Sequence, residues 1–213
     1  RANGQTLFVP GGQRIASPGN LHIEGDWSHA AFYLAAGAIG RGEIRLTGLD
    51  PHSAQGDRAM VEILRDMGAE IRWEGETLVS RASKLHGLRV DCAQAPDLVP
   101  ILAVAMAAAE GESRITGAAR LRIKESDRLS AMAAALTAAG ADVSELPDGL
   151  IIRGGKRLHA AKIEGCNDHR IVMAMTMASE IADGELMITD AEATAKSAPA
   201  FWREFEHLGG LAR

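Results

Sequence analysis

The 213 residues contain only two cysteines, Cys92 and Cys166. They stand far apart and lack metal-ligand spacing, which excludes a disulfide framework and suits free thiols in a reducing compartment. Aromatic side chains make up only 4% of the chain. A core must therefore be built from Ala, Leu, Ile, Val and Met, a composition suited to close helix–sheet packing. There is no positive excess: the net charge is -5, which excludes a general nucleic-acid or acidic-membrane surface. The longest apolar run, Leu98 to Ala109, is bounded by Asp97 and Glu110 and is too short to span a bilayer. No secretory signal pattern is visible, and a cytoplasmic location is expected. The seven histidines show no recurrent metal spacing, and there is no GxGxxG or Walker lysine motif, so neither a metal nor an organic cofactor is expected.

What is present is ordinary for a globular protein, with 46% hydrophobic and 24% charged residues. The length allows one large domain or two small ones. The chain opens at Arg1 rather than Met, and a longer parent protein is expected. Residues 1–24 are rich in Gly and Pro, with short strand-like runs at Thr6–Val9 and Leu21–Ile23. They read as the end of another domain and a crossover strand.

From residue 25 onward one order of parts recurs with a period of roughly 70 residues. An acid or hydroxyl opens an apolar helix at Asp26, Asp97 and Asp168, with helices expected over 30–39, 98–109 and 171–181. Capping of free N–H groups explains the opening residue. A Gly-Glu pair follows each helix, at Gly42-Glu43, Gly111-Glu112 and Gly184-Glu185, and then a strand ending in Thr. A second helix and a glycine come next, over 59–67 with Gly68, 129–139 with Gly140, and 200–208 with Gly209. Two strands close each of the first two units, at 70–73 with 77–80 and at 142–145 with 150–153. Three β-α-β-α-β-β repeats are thus expected over about 25–90, 91–160 and 161–213, the third cut short.

Four places could carry chemistry. Arg120, Arg122, Lys124 and Arg128 crowd one stretch of an acidic chain, with Glu125, Ser126 and Asp127 among them, just before the apolar stripe Leu129, Met132 and Leu136. Ser126 or Glu125 can cap that helix. Cations at a helix N-terminus would make an oxyanion site, because unpaired N–H groups and the dipole already favour anions there. A solvated, salt-bridged helix start is the other reading. At Asn167-Asp168-His169-Arg170 a cation stands in a first turn, where the dipole disfavours it unless an anion binds. Pairing of Arg170 with Asp168 or Glu164 at a surface fits equally. Lys196, between small residues and before Pro199, is either a ligand contact or a surface lysine. Asp97 serves as a cap by default, or as a base if it faces a pocket. Gln55-Gly56-Asp57-Arg58 reads first as a helix cap.

Arg122-Ile123-Lys124-Glu125-Ser126-Asp127-Arg128-Leu129 and Asn167-Asp168-His169-Arg170-Ile171-Val172-Met173-Ala174 resemble the two signatures of the 5-enolpyruvylshikimate-3-phosphate synthases. Gly25-Asp26-Trp27-Ser28, Gln55-Gly56-Asp57 and Ala195-Lys196-Ser197-Ala198-Pro199 match weaker segments of that family in the same order. The resemblance runs from about Asp26 to the C-terminus. It implies an inside-out α/β barrel domain of three β-α-β-α-β-β units, forming the C-terminal half of a two-domain enzyme. It implies transfer of the enolpyruvyl group of phosphoenolpyruvate to the 5-hydroxyl of shikimate 3-phosphate, with no metal or organic cofactor. In that scheme Asp97 matches the residue that holds and deprotonates the hydroxyl, and Glu125 the proton-transfer carboxylate. Arg128, Arg170 and Lys196 match the grip on phosphoenolpyruvate, Lys124 a contact to shikimate 3-phosphate, and Asp168 an orienting acid. The sequence departs from the family at Arg120-Leu121 and Trp27-Ser28-His29. The N-terminal half, with its own substrate contacts, is expected as the partner, and the fragment alone is expected to be inactive. The related transferase that uses UDP-N-acetylglucosamine is the near alternative, and a non-catalytic anion-binding domain the distant one.

Overall fold

A computed structural model describes residues 6–213 of the chain. The first five residues of the crossover segment expected over 1–24 lie outside the described residues. Of its two strand-like runs, only Leu7 takes part in a bridge; 21–23 form no strand, and Leu21 and Ile23 are exposed.

The three unit-opening helices are α1 (Trp27–Ile39), α3 (Val99–Ala108) and α5 (His169–Met177). They are the most buried elements. Every residue from Val99 to Ala107 is buried, as is nearly all of α5. A helix apolar on all sides has no solvent face and must be surrounded. These three pack on one another at the centre of the molecule. Small residues permit the close approach: a Cβ on Gly37 of α1 would lie 2.8 Å from the Ser80 carbonyl oxygen.

The sheets lie outside the helices. Strands β1 (Glu43–Leu46), β2 (Glu70–Glu74) and β3 (Thr77–Arg81) form the first, in the order β1-β3-β2. The second contains β4 (Arg89–Asp91), β5 (Gly111–Thr116), β6 (Asp142–Leu146) and β7 (Gly149–Gly154), in the order β4-β5-β7-β6. Strands β8 (Leu158–Ile163) and β9 (Ala182–Ile188) make the third. In both sheets that have it, the first strand runs parallel to the strand after the central helix. A crossover helix between parallel strands is the geometry expected of such a βα unit. The closing hairpins pair antiparallel, with β3 on β1 and β7 on β5. The second helices, α2 (Met60–Asp66), α4 (Arg128–Ala138) and α6 (Phe201–His207), each bury one side. This is the β-α-β-α-β-β order expected, complete in the second sheet and partial in the first and third.

Several local expectations are corrected. The Gly-Glu pairs do not close the helices: Gly111 opens β5 and Gly184 lies inside β9. Gly40 caps α1 instead, its N–H bonding the Ala36 carbonyl. Helix α4 is capped by Asp127, whose carboxylate accepts from the Ser130 N–H, and not by Ser126 or Glu125. Asp97 caps nothing; it sits in a short 3-10 turn, Pro96–Leu98. Gln55 makes no side-chain cap on its own turn and accepts from the Trp27 N–H instead.

Candidate active site

The opening residues of α4 and α5 and the turn before α3 meet at one end of the helical core. Arg128 is the first residue of α4 and is only 1% exposed. An arginine so buried must be paired, because a lone charge removed from water is costly. Its Nε donates to Asp168 Oδ2 at 2.8 Å, and Nη2 reaches Asp168 Oδ1 at 3.1 Å. That two-pronged contact fixes the guanidinium plane. Nη1 donates to Asp97 Oδ1 at 3.0 Å, and Nη2 also donates to Glu125. One cation from the second repeat thus holds acids from the turn before α3, from its own preceding loop, and from the start of α5.

Asp168 is fully buried and serves three partners. It caps α5 through the Arg170 N–H, accepts from Ser126 Oγ at 3.0 Å, and pairs with Arg128. Burial pushes its carboxyl up, but hydrogen bonding to Arg128 and that residue's charge prevail, so it titrates below the usual aspartate range. Asp97 behaves alike. Burial raises it, and Arg170, Lys124 and Arg128 together hold it below the usual range. Lys124 Nζ stands 3.4 Å from Asp97 Oδ1. Arg170 turns inward, donating to the Asp97 carbonyl oxygen at 3.2 Å and approaching its carboxylate at 3.5 Å. The alternative of a surface pair between Arg170 and Glu164 is therefore not what forms.

Six of the seven residues singled out in sequence, Asp97, Lys124, Glu125, Arg128, Asp168 and Arg170, form one connected network. Lys196 is linked to it through the chain only. It lies at the end of the 3-10 turn Ala191–Lys196, and its ammonium donates to the Asn167 carbonyl and to Asn167 Oδ1. Cys166 and Asn167 have φ of 55° and 48°, so two consecutive residues in the left-handed region shape this loop just before Asp168.

Two further members were named in the sequence without a role in the site. Ser126, read there as a possible cap, ties the loop before α4 to Asp168. His169 is 8% exposed, with Nδ1 3.3 Å from Glu125 Oε1 but no hydrogen bond made by that atom. Burial, with the Arg170 charge, lowers its pKa, so the ring is neutral near pH 7. A histidine beside Arg170 in the first turn of a largely apolar helix was the available signal. Asp57 adds a further buried acid, accepting from Ser28 Oγ at the start of α1, and its carboxyl is raised by burial.

Glu125, Asp168 and His169 could jointly offer ligand atoms to a metal ion. The guanidinium of Arg128 already occupies both acids, which makes the group a poor cation site. A cavity of about 550 Å³ lies elsewhere, lined by residues of α1, β1 and α6 such as Tyr33, Leu46 and Glu204, and includes none of the network. Cations converging with acids in proton-transfer range suit the binding of an anionic substrate and the movement of protons on it.

The arrangement of sheets outside and helices inside is shared with solved enolpyruvyl transferases. The enolpyruvyl transferase NikO of Streptomyces tendae superposes with a TM-score of 0.70 over 90% of this chain and 44% of its own, at 18% identity, a likeness of fold alone. An EPSP synthase structure from Acinetobacter baumannii superposes with a TM-score of 0.75 over 87% of this chain and 46% of its own, at 33% identity. The family model described as EPSP synthase (3-phosphoshikimate 1-carboxyvinyltransferase) matches residues 1–205, and the chain belongs to that family. Curated relatives named 3-phosphoshikimate 1-carboxyvinyltransferase include those of Clostridium novyi, 42% identical over 98% of this chain, and Halobacterium salinarum, 43% identical over 99%. The chain spans about half the length of these relatives, 48% in each case. Among the described residues no helix is long and apolar enough to cross a membrane.

Proposed function

We propose that this chain supplies one half of an enzyme that transfers the enolpyruvyl group of phosphoenolpyruvate to the 5-hydroxyl of shikimate 3-phosphate. The observation that carries the reading is the placement of Asp97, from the turn before α3, and Glu125, from the loop before α4, on the buried cation Arg128. Family membership supplies the reaction class, and the network supplies the parts that the reaction needs. The second reactive face belongs to the portion of the relatives' length that this chain does not span, so the chain alone turns over little or nothing.

Asp97 takes the proton of the attacking hydroxyl. The hydroxyl oxygen bonds to C2 of phosphoenolpyruvate while C3 gains a proton. In the second step C3 loses a proton and the bond from C2 to the phosphate oxygen breaks, releasing phosphate. Glu125 stands as the proton-transfer carboxylate at the carbon. Arg128, Arg170 and Lys196 supply positive charge for the carboxylate and phosphate of phosphoenolpyruvate. Lys124 faces shikimate 3-phosphate, and Asp168 orients Arg128. The depressed pKa of Asp97 keeps it ionised and able to accept a proton at neutral pH. A cytoplasmic location follows from such a role in small-molecule biosynthesis.

Phosphate release from phosphoenolpyruvate, with this chain joined to the missing half, tests the reading. Release with shikimate 3-phosphate and none with UDP-N-acetylglucosamine is expected, with a loss of about a hundredfold or more in Asp97→Asn. Release with the sugar nucleotide instead would reassign the acceptor. No release with either, from a folded complex, would leave only an anion-binding scaffold.

A further inference from the structure

Arg128 is offered to an anion by the reading above, yet its guanidinium is already engaged. Four donor contacts go to Asp168, Asp97 and Glu125. The three acids are not equally held. The side chain of Asp168 is 0% exposed and has two further partners, the Ser126 hydroxyl and the Arg170 N–H. Asp97, 29% exposed, is bracketed by Lys124, Arg128 and Arg170. Glu125 is 38% exposed and lies in the loop between the 3-10 turn Ala119–Ile123 and α4. It pairs with Arg128 and stands 3.3 Å from the Nδ1 of His169. That Nδ1 is buried and lacks a hydrogen-bond partner. A buried polar atom left unpaired is costly, and one aimed at a carboxylate already within reach has an evident acceptor.

We infer that Glu125 is an internal competitor for the anion seat on Arg128, and that an incoming anion displaces its carboxylate onto His169 Nδ1. The displacement requires only that Glu125 release Oε2 from the guanidinium while Oε1 closes on the imidazole. His169 donates in the displaced state and is idle in the present one. The exchange keeps the local charge nearly balanced, since one carboxylate leaves the cation as another arrives. It also frees the proton-transfer carboxylate from a cation only once substrate is in place. His169 is therefore a positioning residue acting through Glu125. The inference rests on the proposed anion site at Arg128, although the competition applies to any oxyanion seated there.

The test uses this chain joined to its missing half, with phosphoenolpyruvate and inorganic phosphate as probes in calorimetric titrations. Glu125→Ala should bind both anions about tenfold more tightly while kcat for phosphate release falls about a hundredfold or more. Glu125→Gln, which keeps the side-chain volume and a neutral acceptor, should fall between it and the wild type, and it serves should the alanine variant fold poorly. His169→Ala should weaken anion binding about threefold in the wild type and have no effect in the Glu125→Ala background, a coupling that a double-mutant cycle isolates. Anion binding in both Glu125 variants no tighter than in the wild type would overturn the inference, as would an equal effect of His169→Ala in both backgrounds. If wild-type protein binds phosphate but releases none from phosphoenolpyruvate, the reaction assignment fails while the competition is still read from the binding arms.

Discussion

Among the networks of arginines and carboxylates in the described residues, two differ in almost every physical respect. One covers the outer face of the first sheet. Arg45 bridges Glu43 at 2.9 Å and Glu74 at 2.6 Å, and Arg81 joins Glu43 at 2.5 Å to Glu70 at 3.1 Å. All of these side chains are a third or more exposed. The other network surrounds Arg128, whose side chain is 2% exposed. The sheet network links residues on the three strands of one sheet, so its partners follow from strand register. The Arg128 network joins three separate elements, so its partners follow from how the central helices pack. Exposed pairs exchange readily with water and ions, whereas a buried pair has no substitute partner. Similar residue types thus decorate a surface in one place and build a site in the other.

The contrast sharpens most under Arg128→Ala. Removing the buried cation leaves Asp97, Glu125 and Asp168 facing one another, and a loss of about 3–5 kcal/mol is expected by denaturant titration. Retained stability in that variant would erase the distinction between the networks. Next in size is Asp168→Asn, which weakens the Arg128 pair while an asparagine can still cap α5; a loss of about 1–3 kcal/mol is expected. Acid acts on both networks in the same direction, and salt divides them. Asp97 and Asp168 have folded pKa values below the usual aspartate value of 3.8. Their stabilisation is fully present above that value and is lost as pH falls through the lower folded values. Exposed Glu43 and Glu74 are also lowered, chiefly by hydrogen bonds to Arg45. Salt at about 0.5 M should diminish the exposed contribution and leave the buried one largely intact. The smallest effect belongs to Arg45→Ala, for which a melting temperature close to that of the wild type is expected.

Much of the architecture was legible because its markers are local. Asp26 and Asp168 cap the helices expected of them, and the strands β2, β3, β6 and β7 fall where β-branched and alternating residues place them. Strand β8 escaped notice because only its ends, Leu158 and Ile163, are buried, so alternation is absent. Strand β4 is three residues long, too short for a pattern. The site was legible as residue types but not as contacts. Asp97 read as a cap because capping is the local use of an aspartate before a helix. Its actual partner, Arg128, lies 31 residues away in sequence, and Asp168 lies 40 from the same arginine. No local rule connects them. Only the packing of α3, α4 and α5 brings them together.

The contact of Arg128 with Asp168 also ties the network to folding. Arg128 opens α4 and Asp168 opens α5, so the fully buried acid joins the network only when the second and third repeats have docked. A chain in which α5 has come away loses the two-pronged contact that fixes the Arg128 guanidinium plane, although Asp97 and Glu125 can still reach it. Assembly of the complete network therefore acts as a checkpoint on tertiary order. The same arrangement makes the Arg170 amide proton, held by Asp168, a reporter of the complete network, because its opening and the release of Asp168 from Arg128 would be a single event.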